Sequence, residues 1–138
     1  MTATDYFTKW IEAVPTRQAF DAVIIKFLEN NILARFGCPR KIITDNATTF
    51  RSKRMVVFCN KYQITLGHST AYYSQGNGLK ESSNEILVNI INKALHDNKK
   101  SWHIKLVNAL WAEKLTTKKS IGMCPYQLVY GIDVVLPT

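Results

Sequence analysis

Apolar residues recur every three to four positions over two stretches of the chain, and this spacing predicts two amphipathic helices. The first stretch runs from Gln18 to Phe36 and ends at Gly37 and Pro39, which are typical helix terminators. The second runs from Trp102 to Leu115. The apolar residues at helical spacing in the first stretch are Phe20, Val23, Ile24, Phe27, Leu28 and Ile32. The core candidates of the second helix are Ile104, Leu106, Val107, Leu110 and Trp111.

A longer helix is predicted after the polar loop at residues 69–76. Its apolar stripe consists of Leu87, Ile90, Ile91, Ala94 and Leu95. Glu81 lies in the first turn, about 120° from the centre of that stripe on a helical wheel. We therefore expect Glu81 at the rim of the buried face, where its carboxylate can reach the edge of a neighbouring sheet.

Short runs rich in β-branched residues predict strands between these helices. The runs are Trp10–Val14, Lys41–Thr44 and Ile64–Leu66, and shorter helices are predicted at Ser52–Tyr62 and Tyr126–Tyr130. Strands that alternate with helices indicate an α/β layer fold. At 138 residues without an obvious linker, the chain has the size of one domain.

The composition narrows the class of partner only slightly. A net charge of +8 and a pI near 9.5 are typical of proteins that bind polyanions, although a basic soluble domain explains them equally well. The three cysteines lack zinc-finger spacing and favour a reducing, intracellular compartment. No apolar run reaches the length of a membrane span, and no secretory signal is evident, so we expect no membrane partner.

Two carboxylates stand out because of where the predicted elements place them. Asp45 follows directly after the strand Lys41–Thr44, and Glu81 opens the longest helix, with 35 residues between them (81 − 45 − 1). Metal-dependent phosphoryl-transfer sites are often built this way. Taken singly, Asp45 is also explained as a turn residue, and Glu81 as an acid favoured at a helix N-terminus.

Four ordered motifs resemble the catalytic core of integrases from gypsy-like long-terminal-repeat retrotransposons and retroviruses. They are Asp5–Ala13, Thr44–Phe50, Tyr72–Glu85 and Ser120–Gly131, and the match covers essentially the whole chain. The resemblance implies a ribonuclease-H-like mixed sheet flanked by helices. It also implies that residues 1–138 are one integrase core-like domain, derived from a transposable-element polyprotein.

In that family, two Asp and one Glu bind two Mg²⁺ or Mn²⁺ ions. By position in the motifs, Asp45 matches the second acid and Glu81 the third. The first acid lies on a central strand before the Asp5–Ala13 motif and has no counterpart here, which implies an N-terminally incomplete domain and an incomplete metal site. Asp5 superficially completes a triad, but the motif places it beside a hairpin turn, where Asp is favoured for local hydrogen bonding.

The loop before Glu81 and the start of the helix contain candidate DNA contacts. They are Tyr72, Gln75, Asn77, Gly78 and Lys80. A polar turn would use Gln75, Asn77 and Gly78 equally well, and Tyr72 is also explained as a half-buried loop aromatic rather than one that stacks on a base. Ala47 stands where the family usually has Gly, and it would cost on the order of 1 kcal/mol if the backbone there were left-handed.

The expected function is DNA integration by metal-dependent strand transfer, in a chain that is inactive alone because the first catalytic Asp is missing. The alternative is a nucleic-acid-binding or assembly module that retains the fold without the chemistry, and a non-functional remnant is a third interpretation. The expected partners are DNA and further copies of the chain. The family implies a nuclear location.

Overall fold

The computed structural model describes residues 1–45, 47–68, 89, 102–133 and 135. The chain divides into two compact units. The hairpin unit comprises Met1–Pro15 and Leu79–Thr138, and the parallel-strand unit comprises Thr16–Gly78. The prediction of one domain over residues 1–138 stays a prediction, and so does the longest helix, which falls outside the described residues apart from Asn89.

The hairpin unit is built on two antiparallel strands. Strand β1 (Thr2–Thr4) pairs with β2 (Ile11–Ala13), so that a turn at residues 5–10 connects them. Helix α4 (Trp102–Leu115) packs against β2, and helix α5 (Pro125–Tyr130) packs against α4. Ile11 is 1% exposed and packs with buried Ala109 of α4, which fixes the helix on the sheet.

The parallel-strand unit begins with a helix of mixed type. Helix α1 (Asp21–Phe27) continues as a π-helical segment (Leu28–Leu33) and then as the short α-helix α2 (Ala34–Phe36). Gly37 follows with a φ of 85°, in the region that favours glycine, and the helix ends there.

Two parallel strands follow in the same unit. Strand β3 (Lys41–Thr44) pairs in parallel with β4 (Thr65–His68), and helix α3 (Lys53–Lys61) connects them after a 3-10 turn at Thr48–Arg51. The side chain of Ser52 accepts a hydrogen bond from the Met55 amide (3.2 Å), which caps the first turn of α3. This strand–helix–strand unit brings the carboxyl ends of β3 and β4 together.

The helical periodicity predicts the elements more accurately than their buried faces. Helix α1 begins at Asp21 rather than Gln18, because Phe20 has extended dihedral angles and stands just before the first turn. Of the apolar residues at helical spacing, Ile24, Phe27 and Leu28 are buried. Phe20 and Val23 share that spacing but are 58% and 36% exposed.

Helix α4 departs from its predicted face in a similar way. Leu106 is buried, but Val107 and Trp111, also predicted in the core, are 67% and 45% exposed. The buried residues of α4 instead include Ala109 and the charged residue Glu113. The Ile104 side chain is not among those that the structure describes.

Among the helices that the structure describes, none has both the length and the hydropathy of a membrane-spanning segment.

Candidate functional site

Asp45 lies immediately beyond the carboxyl end of β3, and its side chain is exposed. The last pair of the parallel ladder joins Thr44 to His68, and the Thr44 hydroxyl Oγ1 is 3.1 Å from His68 Nδ1. Thr44 is only 4% exposed. This contact ties the two strands together at the edge from which Asp45 projects, and nothing in the spacing of the histidines indicates it beforehand.

The Asp45 carboxylate makes one local hydrogen bond. Its Oδ1 accepts from the Ala47 amide at 3.1 Å, an arrangement typical of Asx turns. No hydrogen bond from elsewhere in the described residues reaches its other oxygen, Oδ2. An exposed, oriented carboxylate oxygen of this kind is the ligand that Mg²⁺ prefers.

The backbone at Ala47 is not left-handed. Its φ of −59° and ψ of 136° are ordinary for an L-residue, so the condition for a strain cost at this Ala is not met. The chain turns at this point because the Asp45 side chain holds the Ala47 amide, and the 3-10 turn then begins at Thr48.

The remaining predicted site residues lie outside the described residues. These are Glu81, the proposed third acid, and Tyr72, Gln75, Asn77, Gly78 and Lys80. Their roles, and the distance between the carboxyl groups of Asp45 and Glu81, stay predictions. Within the part of the chain that the structure describes, no three His, Cys, Asp or Glu side chains form a group that could hold a metal ion.

The turn interpretation of Asp5 is confirmed. Its Oδ2 accepts hydrogen bonds from the Thr8 amide (2.8 Å) and the Thr8 hydroxyl (2.6 Å). The backbone closes the same turn, because Asp5 N donates to Trp10 O (2.8 Å) and Lys9 N donates to Asp5 O (3.1 Å). The hydrogen bonds of the hairpin turn therefore account for the position of the Asp5 carboxylate.

The hairpin unit contains a buried ion pair that the sequence pattern does not predict. Glu12 is 4% exposed, and its Oε1 accepts from Trp10 Nε1 (2.7 Å) and from Lys114 Nζ (3.0 Å). The Lys114 ammonium also lies 4.2 Å from the centre of the Trp10 ring. The spacing of Trp10 and Glu12 along a strand places them on one face, but Lys114 lies 102 positions away, so no local pattern predicts the pair.

Comparison with known proteins identifies relatives along the chain. A family model described as "Integrase core domain" matches residues 1–74. The Gag-Pol polyprotein of avian reticuloendotheliosis virus is 30% identical over 96% of this chain, and the Pol polyprotein of feline endogenous virus ECE1 is 31% identical over 92%. The chain spans only 11% and 12% of the lengths of these two polyproteins.

Solved structures give the same result for the fold. One similar structure is the simian T-cell lymphotropic virus intasome in complex with PP2A regulatory subunit B56 gamma. The alignment with a chain of that complex covers 99% of this chain and 49% of the intasome chain, with a TM-score of 0.80 and 24% identity. The trimeric HTLV-2 integrase catalytic core domain in complex with magnesium aligns at a TM-score of 0.71 and 28% identity, covering 90% of this chain and 79% of its own.

The predicted α/β, ribonuclease-H-like class is confirmed by these structural relatives. The family model covers more than half of the 138 residues and includes both β strand pairs and Asp45. The chain belongs to the integrase core domain family.

Proposed function

We propose that the chain is part of an enzyme that joins element DNA to target DNA by metal-dependent strand transfer. One observation carries the proposal: Asp45 projects as an exposed carboxylate from the carboxyl end of a parallel strand. Functional groups of α/β sheets gather at this edge. Membership of the integrase family supports the same assignment. Glu81 is the proposed partner acid, on the basis of its position in the motif.

The residues around Asp45 fit a divalent cation. The Ala47 amide fixes one carboxylate oxygen at 3.1 Å, and the Thr44–His68 contact fixes the end of the strand that carries Asp45. Asp45 and Glu81 would hold Mg²⁺ or Mn²⁺, which polarises the scissile phosphate and stabilises the charge that develops on it when bound. The protein supplies position and negative charge, as is usual in phosphoryl transfer.

We also propose that these 138 residues are inactive alone. By the motif alignment of the resemblance, none of these 138 residues takes the place of the first acid of the family triad, and the Asp5 carboxylate is held by Thr8 in the hairpin turn. Two acids balance the charge of a metal pair less well than three. Strand transfer by the purified chain at the level of an intact integrase would contradict this part of the proposal.

Binding of Mn²⁺ tests the metal site without requiring activity. Paramagnetic Mn²⁺ should broaden the amide resonances of Thr44 and Asp45 in a heteronuclear NMR spectrum. The Asp45→Asn variant should need at least about tenfold more Mn²⁺ for the same broadening, because the ligand charge is lost. The matched control is Asp21→Asn, because Asp21 is an acid in α1 that pairs with Arg54 of α3. Equal broadening in the parent and Asp45→Asn would refute the site.

A non-catalytic nucleic-acid-binding module is the second candidate, and the net charge of +8 favours it. Salt-dependent DNA binding that survives Asp45→Asn together with Glu81→Gln would support this candidate. The absence of DNA binding at low salt would remove both candidates. Since either function would act on chromosomal DNA, we also propose a nuclear location.

Self-association is part of the proposal. The HTLV-2 core relatives are described in trimeric and dimeric forms. In this chain Val107 and Trp111 lie four residues apart on α4, so they share one face, and both are exposed. Burying this apolar pair against a second copy would be favourable. Sedimentation velocity should show concentration-dependent association that Val107→Lys reduces.

A further inference from the structure

Two neighbouring aromatic side chains project into solvent at the turn between β1 and β2. Tyr6 is 61% exposed and Phe7 is 77% exposed. Their rings meet edge to face, with centroids 5.4 Å apart. Exposed apolar surface of this size at a turn is informative, because adjacent large aromatics are usually covered unless they bind something. We refer to Tyr6, Phe7 and Lys9 as the aromatic tip.

The turn that presents the aromatic tip is held by several hydrogen bonds. The Asp5 carboxylate binds both the amide and the hydroxyl of Thr8, and the Thr8 hydroxyl in turn accepts from the Trp10 amide at 3.2 Å. The Asp5 amide donates to the Trp10 carbonyl oxygen. A turn constrained in this way holds its aromatic rings in place before any ligand arrives, which lowers the entropy cost of binding.

Lys9 supplies a positive charge beside the two rings. Its Nζ lies 4.5 Å from the centre of the Tyr6 ring and donates to the Tyr6 carbonyl oxygen. Lys9 has a φ of 60°, a left-handed conformation in which glycine would be less strained. The turn thus carries a strained residue whose ammonium group is kept against an exposed aromatic face.

We propose that the aromatic tip binds an unpaired nucleotide, with the base stacked on Phe7 and the phosphate paired with the Lys9 ammonium group. Aromatic side chains beside a cation are how proteins hold single-stranded nucleic acid, because every base offers a π face and every nucleotide a phosphate. A duplex already stacks its bases on each other and offers far less to Phe7. The net charge of +8 favours a polyanion over a neutral peptide.

The inference rests on the proposed nucleic-acid function and identifies the part of the nucleic acid that this surface contacts. Fluorescence anisotropy with the full chain should compare binding to a labelled oligothymidine with binding to a blunt duplex of equal length. This comparison tests the proposed nucleic-acid function and the inference about the aromatic tip. Phe7→Ala should weaken oligothymidine binding about tenfold, since one stacked base is lost, while duplex binding changes less than about twofold.

A matched control is available in the other unit. Phe36 is also exposed, at 43%, and the Arg35 guanidinium lies 5.1 Å from its ring centre, so it too pairs an aromatic ring with a cation. Phe36→Ala should leave oligothymidine affinity unchanged. Circular-dichroism melts of both variants should match the parent, because neither side chain is buried.

Stacking has a direct optical signature. Phe7→Trp should retain affinity for oligothymidine, and its additional indole fluorescence should be quenched on binding, beyond any quenching in the parent protein. Lys9→Gln should reduce the salt dependence of binding by about one phosphate contact, because the ammonium group no longer displaces a counterion.

The possible outcomes separate the two proposals. Failure of the parent to bind either nucleic acid would overturn the proposed DNA function together with this inference. Duplex binding with no effect of Phe7→Ala on oligothymidine affinity would overturn the inference alone. The inference would also be overturned if Phe7→Ala reduced self-association without changing oligothymidine affinity, since the tip would then be a protein contact.

Discussion

The two units are stabilised by different chemistry in their described cores. In the hairpin unit, Glu12 and Glu113 are both less than 5% exposed, and each contacts a lysine. In the parallel-strand unit the described core is dominated by apolar side chains: Ile24, Phe27, Leu28, Met55, Phe58, Cys59 and Ile64. One unit should therefore be most sensitive to the loss of a charge, and the other to the loss of volume.

The charges in the hairpin unit lie beside a series of aromatic rings. Trp10 meets Tyr130 at 5.7 Å between centroids, Tyr130 meets Tyr126 at 4.8 Å, and Tyr126 meets Trp111 at 6.1 Å. Glu113 contacts Lys118 in the loop that follows α4. Buried ion pairs gain little over apolar contacts when complete, but the removal of one partner alone is strongly destabilising.

Removal of one buried charge should give the largest effect. Lys114→Met removes a cation from the buried Glu12 carboxylate, and we expect a loss of about 3–5 kcal/mol in the free energy of unfolding, measured by urea denaturation. Lys114→Met combined with Glu12→Gln should recover most of that loss, because Gln is neutral and can still accept from Trp10.

The matched control for the charge variant is Arg54→Met. Its guanidinium group lies 3.8 Å from the Asp21 carboxylate, but the Arg54 side chain is 72% exposed. Exposed pairs contribute about 1 kcal/mol at most. If Arg54→Met destabilised the protein as much as Lys114→Met, burial would not be the reason for the difference between the two pairs.

Truncation of a core side chain should have the next largest effect, in the parallel-strand unit. Met55 is completely buried on α3, and Met55→Ala should cost about 2–5 kcal/mol in unfolding free energy through lost contacts and a residual cavity. Val57→Ala on the same helix, at a side chain that is 66% exposed, should cost well under about 1 kcal/mol. Similar losses in both variants would argue against an apolar core around Met55.

The pH dependence of stability offers a smaller effect in the same unit. Burial raises the pKa of the Cys59 thiol above its ordinary value of 9.0. The unfolded chain then ionises first, so stability is intact below about pH 9 and falls as the pH rises further, by at most about 1.4 kcal/mol per pH unit. Cys59→Ala should flatten this slope, and Cys38→Ala, which removes an exposed thiol, is the control. Equal flattening by both variants would show that burial of the Cys59 thiol does not cause the pH dependence.

The smallest expected effect compares two left-handed residues. Gln63 follows α3 with a φ of 55°, and Gln63→Gly should raise the unfolding free energy by up to about 1 kcal/mol by removing the strain of a Cβ atom there. Lys9→Gly should increase the unfolding free energy by less, because the variant lacks the contact between the Lys9 ammonium group and the Tyr6 ring. Thermal melts of the two variants measure the difference. A larger increase for Lys9→Gly would show that the contact with the Tyr6 ring does not stabilise the fold.

Hydrophobic spacing was sufficient to predict most of the described elements, because backbone geometry sets the period. It did not predict strand β1: Thr2, Ala3 and Thr4 form a run too short to give a periodic apolar signal, and they become a strand by pairing with β2. Nor did it predict that Glu113 is buried while Val107 is exposed. The partner of Glu113 lies in a later loop, and an apolar pattern contains no information about such a contact.

The candidate site was predictable only as far as local rules extend. The position of Asp45 at a strand end follows from the apolar run before it, and the role of Asp5 follows from the preference of Asp for turns. The contact between Thr44 and His68 depends on the parallel register of two strands 24 positions apart. No pattern along the chain specifies that register.

The π-helical segment Leu28–Leu33 has a consequence for where the chain goes next. A wider turn accommodates one more residue than an α-helical turn, so everything beyond it is rotated by about 100° relative to an uninterrupted helix. The π-helical segment therefore changes the angle about the helix axis at which α2 ends at Gly37, the residue from which the chain runs on to β3 and Asp45.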